Sequence, residues 1–258
     1  MKIIFMGTGT SQGVPIIGKK RGSLDLSNPK NWRNRSCAHV EVAGMKIQID
    51  AGPEFRIQCL ANNISSADIF ILTHGHADHI AGMDDLRRFC DNMPGNVLPV
   101  YSNEYGLERI SAMFPYALGD KPASPGYPCF KLKKMPAELH FENGVKILSD
   151  ELPHGPVKTL GIAIEGEGKR LAYYTDCHRL TPRAVEMAKG ADIAVLDCLK
   201  IAPHPSHMNL EAALETAKLL EAKTTYFTHM TSHIDYGVYE PKLPPRVHFA
   251  YDGLSVEI

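Results

Sequence analysis

Four side chains that can bind a metal crowd into six residues: His74, His76, Asp78 and His79, within THGHADHIAGMD at 73–84. Neutral imidazole suits zinc, manganese or iron, and a carboxylate adds charge and hardness to such a set. The residues just before, 68–73, read as a short buried strand, and 80–90 reads as a helix. Side chains two apart on an extended segment point the same way, so His74 and His76 can share one metal. Where the chain turns into the helix, Asp78 and His79 can swing toward a second.

A site for two metals needs further donors. His154 lies just past an apolar run at 145–152, Asp176 ends a run at 170–175, and His229 ends a run at 224–228. All three share the position of His74, the C-terminal end of a strand, and in layered α/β structures that edge is where side chains converge on a ligand.

The elements that must place these residues follow from hydrophobic pattern and punctuation. A first strand covers 1–6, a long polar loop 7–35, and a hairpin the runs starting at Cys37 and Met45, delivering Asp50. Residues 53–62 have helical spacing. A strand at 98–101 and a helix at 103–113 follow, then a Pro- and Gly-rich excursion at 114–128. Strands are expected at 129–134, 138–141, 145–152, 159–165 and 170–175. A short helix starts at Thr181-Pro182, and a strand at 193–196, a helix at 209–221 and a strand at 224–228 come next. The chain closes with strands near Val247 and Leu254. This order predicts an α/β protein, two sheets face to face with helices outside, as one domain over 1–258.

The formal net charge of −1 gives no global field toward nucleic acid or anionic membranes, so a bound polyanion would need a local patch or metal. No apolar run approaches the ~18 residues of a membrane span. Six cysteines without a CxxC pair, and no secretory pattern, suggest buried reduced thiols and a cytoplasmic protein. In the first loop Lys19, Lys20, Arg21, Lys30, Arg33 and Arg35 face a single Asp25. That loop reads either as a solvated segment or as a phosphate-facing rim, with Trp32 as a stacking surface. Ser11 and Gln12 in its glycine-rich opening, and Arg87 and Arg88 after the histidine cluster, are further candidates for substrate contact. His39, His140, His178, His204 and His248 match no ligand position.

Thr-His-Gly-His-Ala-Asp-His, with Asp50, His154, Asp176 and His229 in order, resembles the metallo-β-lactamase superfamily over nearly the whole chain. The resemblance implies a four-layer αββα sandwich, with His74, His76 and His154 on one divalent ion, zinc or manganese. Asp78, His79 and His229 would hold the other, and Asp176 would bridge. Asp50 would orient a liganding histidine through its second ring nitrogen. The opening Gly-Thr-Gly-Thr-Ser-Gln-Gly-Val-Pro, Leu-Asp-Cys at 196–198 and His207-Met-Asn-Leu resemble the PhnP-like phosphodiesterase branch. That likeness implies hydrolysis of a small cyclic or nucleotide-like phosphodiester by a hydroxide bridging two metals. His207 would be the general acid, with Asp78 counted among the catalytic residues. The branch carries a cysteine cluster in its first loop for a structural metal; residues 18–35 here contain no cysteine, and His233 lies one residue further from the last ligand. A tRNA 3′-end endonuclease and a lactone or thioester hydrolase are the alternatives. Nucleic acid and membranes are disfavoured as partners, and a homodimer stays open.

Overall fold

The structure, a computed structural model, describes residues 1–19, 22 and 24–258. Lys20 and Arg21 of the basic loop lie outside the described residues. The first half supplies β1 (Lys2–Gly7), β2 (Cys37–Val42), β3 (Met45–Ile49), β4 (Ile69–Ile71), β5 (Leu98–Ser102) and β6 (Phe130–Lys134). The second supplies β7 (Glu138–His140), β8 (Lys146–His154), β9 (Val157–Gly166), β10 (Lys169–Tyr174), β11 (Ile193–Asp197), β12 (Thr224–Thr228), β13 (Val247–Phe249) and β14 (Leu254–Glu257). The helices are α1 (Phe55–Asn62), α2 (Ala77–Ile80), α3 (Arg87–Cys90), α4 (Glu104–Met113), α5 (Pro182–Ala188), α6 (Leu210–Leu220) and α7 (Tyr236–Tyr239).

The strands form two mixed sheets, ordered β14-β1-β2-β3-β4-β5-β6 and β13-β12-β11-β10-β9-β8-β7. Alternation along each strand builds the layers. On β1, Ile3 and Phe5 face the second sheet, while Ile4 and Met6 join the cluster holding Phe55 of α1. On β10, Leu171 and Tyr173 enter the space between the sheets, and Ala172 and Tyr174 pack with Ala184 of α5 and Ala213 of α6. Strands buried on both faces read as near-continuous apolar runs, as 193–196 does. The result is the expected αββα sandwich.

Register brings the ligand positions to one edge. β3 and β4 are parallel neighbours with Ile49 opposite Ile71, so Asp50 and the segment leading to His74 leave the sheet side by side. β10, β11 and β12 are parallel, with Tyr174 opposite Leu196 and Asp197 opposite Thr228. β8 pairs antiparallel with β9, which pairs antiparallel with β10, so β8 delivers its last residue, His154, to the same edge. The two sheets are tied there by backbone bonds between Thr8 and Met230 and between Thr10 and Met230.

The expected helix over 80–90 is instead broken into α2, a 3₁₀ turn at Met83–Leu86 and α3. Tertiary contact interrupts it. The Gly82 N–H donates to the Ala51 carbonyl, not to the carbonyl four residues back, and Ala51 N–H donates to His79. A Cβ on Gly82 would stand 2.0 Å from the Gly52 carbonyl oxygen, and one on Gly52 would stand 2.2 Å from that of Asp78. The glycines let the Asp50 turn and the histidine turn touch backbone to backbone. The six cysteines are buried and unpaired, and among the described residues no helix is long and apolar enough to cross a membrane.

Gly82→Ala therefore forces these two turns apart. Overpacking of this kind typically costs ~1–3 kcal/mol, which should appear as a lowered denaturant midpoint. An unchanged midpoint would mean the contact is not a constraint.

Candidate metal centre

At the edge where the strands end, two groups of donors form. In the first, His76 Nδ1 lies 2.9 Å from His74 Nε2 and 3.2 Å from His154 Nε2. In the second, His79 Nε2 stands 3.2 Å from Asp78 and 3.4 Å from Asp176, and His229 Nε2 stands 3.0 Å from Asp176. Within each group the donor atoms lie within 4.8 Å of one another. His74, His76, Asp78, His79, His154, Asp176 and His229 are thus brought together as the sequence suggested.

The outer hydrogen bonds fix which ring nitrogen faces inward. Asp50, fully buried, accepts from Thr73 N–H and Oγ1 at 2.8 Å each and lies 2.7 Å from His79 Nδ1. A carboxylate only accepts, so His79 carries its proton on Nδ1 and turns a bare Nε2 toward two further carboxylates. That Nε2 is buried and has no hydrogen-bond partner, and neither has His229 Nε2. His154 is set alike: its Nδ1 lies 3.1 Å from the Ser206 carbonyl, leaving Nε2 aimed at His76. Lone pairs facing lone pairs and carboxylates out of water are repulsive unless a cation lies between them. The donor set fits divalent metal.

Protons take up that role when metal is absent. Burial opposes charge on His79, yet Asp176, Asp78 and Asp50 outweigh it and raise its pKa well above the ordinary histidine value. His229 is likewise raised, to about 10, against burial, by Asp176 and Asp78. Burial pushes His74 well down, with His79 adding to the effect. Asp78 and Asp176 stay below the usual carboxylate range despite burial, held there by the two protonated rings.

The cavity over this centre is about 210 Å³ and is lined by Ser11, Ser206 and His207 along with the donors His76, Asp78, His154, Asp176 and His229. His207 stacks on His229, with ring centroids 4.9 Å apart and planes at 11°. Its Nδ1 lies 2.7 Å from Asp197, which also accepts from Cys177 N–H. The second oxygen of Asp197 lies 3.9 Å from His229 Nδ1. Asp197 was missed as a site residue, although it ends β11 and the strand-end rule that found Asp176 and His229 covers it. His204 also went unassigned; its ring lies 5.2 Å from that of His207.

Other expected contacts fall elsewhere. Gln12 is exposed and does not line the cavity. Arg87 is held by Asp84, and Arg88 by Asp91 at 2.9 Å, away from the lining. Three basic-loop cations are committed to the protein itself. Arg33 is buried and donates to the Thr231 and Ile234 carbonyls. Arg35 pairs with Glu54 and donates to the Ser11 carbonyl. Lys30 sits 4.3 Å over both Tyr236 and Tyr251. His233 bonds Thr231 and joins neither donor group.

A family model described as "Beta-lactamase superfamily domain" matches residues 45–230. The chain belongs to the metallo-β-lactamase superfamily. It superposes on a structure described as a new diphosphatase from the PhnP family with a TM-score of 0.88 and 31% identity, covering 100% of this chain and 97% of that one. That agrees with the resemblance read from the glycine-rich opening and His207. Zn(2+)-bound PqqB from Methylobacterium extorquens shares the fold, with a TM-score of 0.77 and 18% identity over the full length of both chains. An octanoyltransferase of Porphyromonas gingivalis is 32% identical over 264 residues, covering 100% of this chain and 52% of the relative. This chain therefore spans about half the length of that protein.

Filling the site with metal should expel the protons on His79 and His229. Calorimetric zinc titration near pH 7 in buffers of different ionisation enthalpy should show net proton release. Metal affinity should fall as pH drops, because both rings have raised pKa values and must lose a proton to bind metal. Binding heats independent of the buffer would contradict this account.

Proposed function

We propose that the chain is a metal-dependent hydrolase of a small phosphodiester, cyclic or nucleotide-like, with two divalent ions as cofactors. His74, His76 and His154 would hold one ion, and Asp78, His79 and His229 the other, with Asp176 between. The observation that carries the reading is one pocket lined by members of both donor groups and by His207, whose ring Asp197 holds from behind. The relative described as a diphosphatase supports cleavage at phosphorus.

When bound, the ions would lower the pKa of water toward ~7 and offset charge on the phosphate. The chain's own residues supply the rest. Asp197 holds one His207 proton on Nδ1 and fixes the ring, so a second proton, carried on Nε2 toward the pocket, can pass to the departing oxygen. Stacking on His229 and the edge contact with His154, 4.7 Å between centroids, stop the ring turning away. Thr175 Oγ1 donates to Asp176 at 2.7 Å and fixes its carboxylate. Ser11 and Ser206 offer hydroxyls along the wall. Near-neutral net charge and the commitment of Arg33, Arg35 and Lys30 to internal contacts favour a small substrate over RNA, whose binding rests largely on Lys and Arg contacts.

A metal-loaded screen tests this with bis(p-nitrophenyl) phosphate, cyclic ribose phosphates, cyclic nucleotides, a nucleoside diphosphate, a tRNA precursor and a lactone. Turnover of the small phosphorus substrates is expected; strong tRNA cleavage with little small-diester turnover would overturn it. His207→Ala should lower kcat by ~10²–10⁴-fold with metal content unchanged, whereas Asp176→Ala should lose metal and activity together. If His207→Ala empties the site, its role as proton donor is wrong.

A further inference from the structure

The catalytic pocket, at about 210 Å³, is smaller than the ~300–1,000 Å³ typical of clefts that enclose small-molecule ligands. A pocket of that size takes the phosphate under attack and little more, so a nucleotide-sized substrate must extend beyond it. A second groove of about 560 Å³ adjoins it across the turn between β8 and β9, and Pro156 lines both. Gly155 in that turn stands at φ +57°, and a Cβ there would come within 3.2 Å of the Ser206 side chain.

The groove has an apolar floor of Pro153, Pro156, Val157, Leu180 and Pro182. Arg179 stands on its wall, exposed, three residues beyond Asp176. Among the described residues, no carboxylate comes within 4.0 Å of its guanidinium. Glu151, also on the wall, is taken by Lys158 at 2.9 Å, and Asp150 nearby accepts from Thr181. The groove therefore offers apolar surface beside a cation without a counter-charge, at the edge of the metal centre.

We propose that this groove binds the non-reacting arm of the substrate, a nucleoside carrying its own phosphate, with the ring on the prolines and the phosphate on Arg179. This rests on the phosphodiesterase reading and extends it: the substrate carries a second anion beyond the bond that is cut. A planar, forked guanidinium matches a phosphate in a way a lysine does not.

The test measures binding to the metal-loaded protein by calorimetry, using adenosine 3′,5′-bisphosphate and adenosine 5′-monophosphate as probes. The wild type should bind the bisphosphate ~10-fold more tightly, the scale of one charge-assisted contact. Arg179→Glu should erase that difference while leaving the monophosphate within about 2-fold, and Arg179→Lys should keep part of it. Equal affinity for the two probes, no binding of either, or a preference that survives Arg179→Glu overturns the assignment. Hydrolysis of bis(p-nitrophenyl) phosphate by the same preparations scores the phosphodiesterase reading separately, since that diester carries no second anion.

Discussion

Two carboxylates and five imidazoles, all but His76 buried, are held with acceptor atoms toward one another. Without positive charge between them this convergence is unfavourable. The sandwich supplies the rigidity that keeps it in place. Asp50 illustrates how: its carboxylate is saturated by Thr73 and His79, so the ring of His79 has one orientation only. The bare nitrogen that results is a consequence of the strand order, since Asp50 and Thr73 leave adjacent parallel strands.

The backbone bears part of the same cost. Asp50, Asp176 and His229, each following the end of a strand, have φ of +61°, +54° and +62°. Left-handed backbone is unfavourable for residues with a Cβ, by roughly 1–2 kcal/mol each, and persists where the surroundings over-determine it. Here the positive φ turns the side chain into the site while the strand keeps its hydrogen bonds.

How much of this could be read from the sequence depends on the distance over which each feature is decided. The cluster at 74–79 is local, and the strand-end donors His154, Asp176 and His229 follow from apolar runs that stop at a polar residue. The layered fold was legible for the same reason, because alternation and buried runs are written in consecutive residues. Features fixed by distant contacts were not. The helix expected over 80–90 breaks because Gly82 bonds to Ala51, which no local propensity encodes. Arg33 looked like one of six loop cations, yet it is buried against 231–234. Its pKa is lowered to about 10, chiefly by burial, with Asp252 and Asp235 opposing the shift.

Arg33 also bears on the loop that the PhnP-like branch builds around a cysteine cluster. Loop residues 25–33 are anchored to the segment after His229. Here the anchor is made of hydrogen bonds. Asp235 accepts from Asp25 N–H and Asn31 Nδ2, Asn31 Oδ1 accepts from Arg33 and Tyr236 N–H, and Arg33 caps the Thr231 and Ile234 carbonyls. Such a network is held by mutual satisfaction of its polar groups. It also keeps the charge of Arg33 from meeting substrate. The cation we propose for that purpose is Arg179, on a different element and close in sequence to Asp176. On that reading catalysis and recognition share the stretch after β10, so a change in how that stretch leaves the sheet would alter both together.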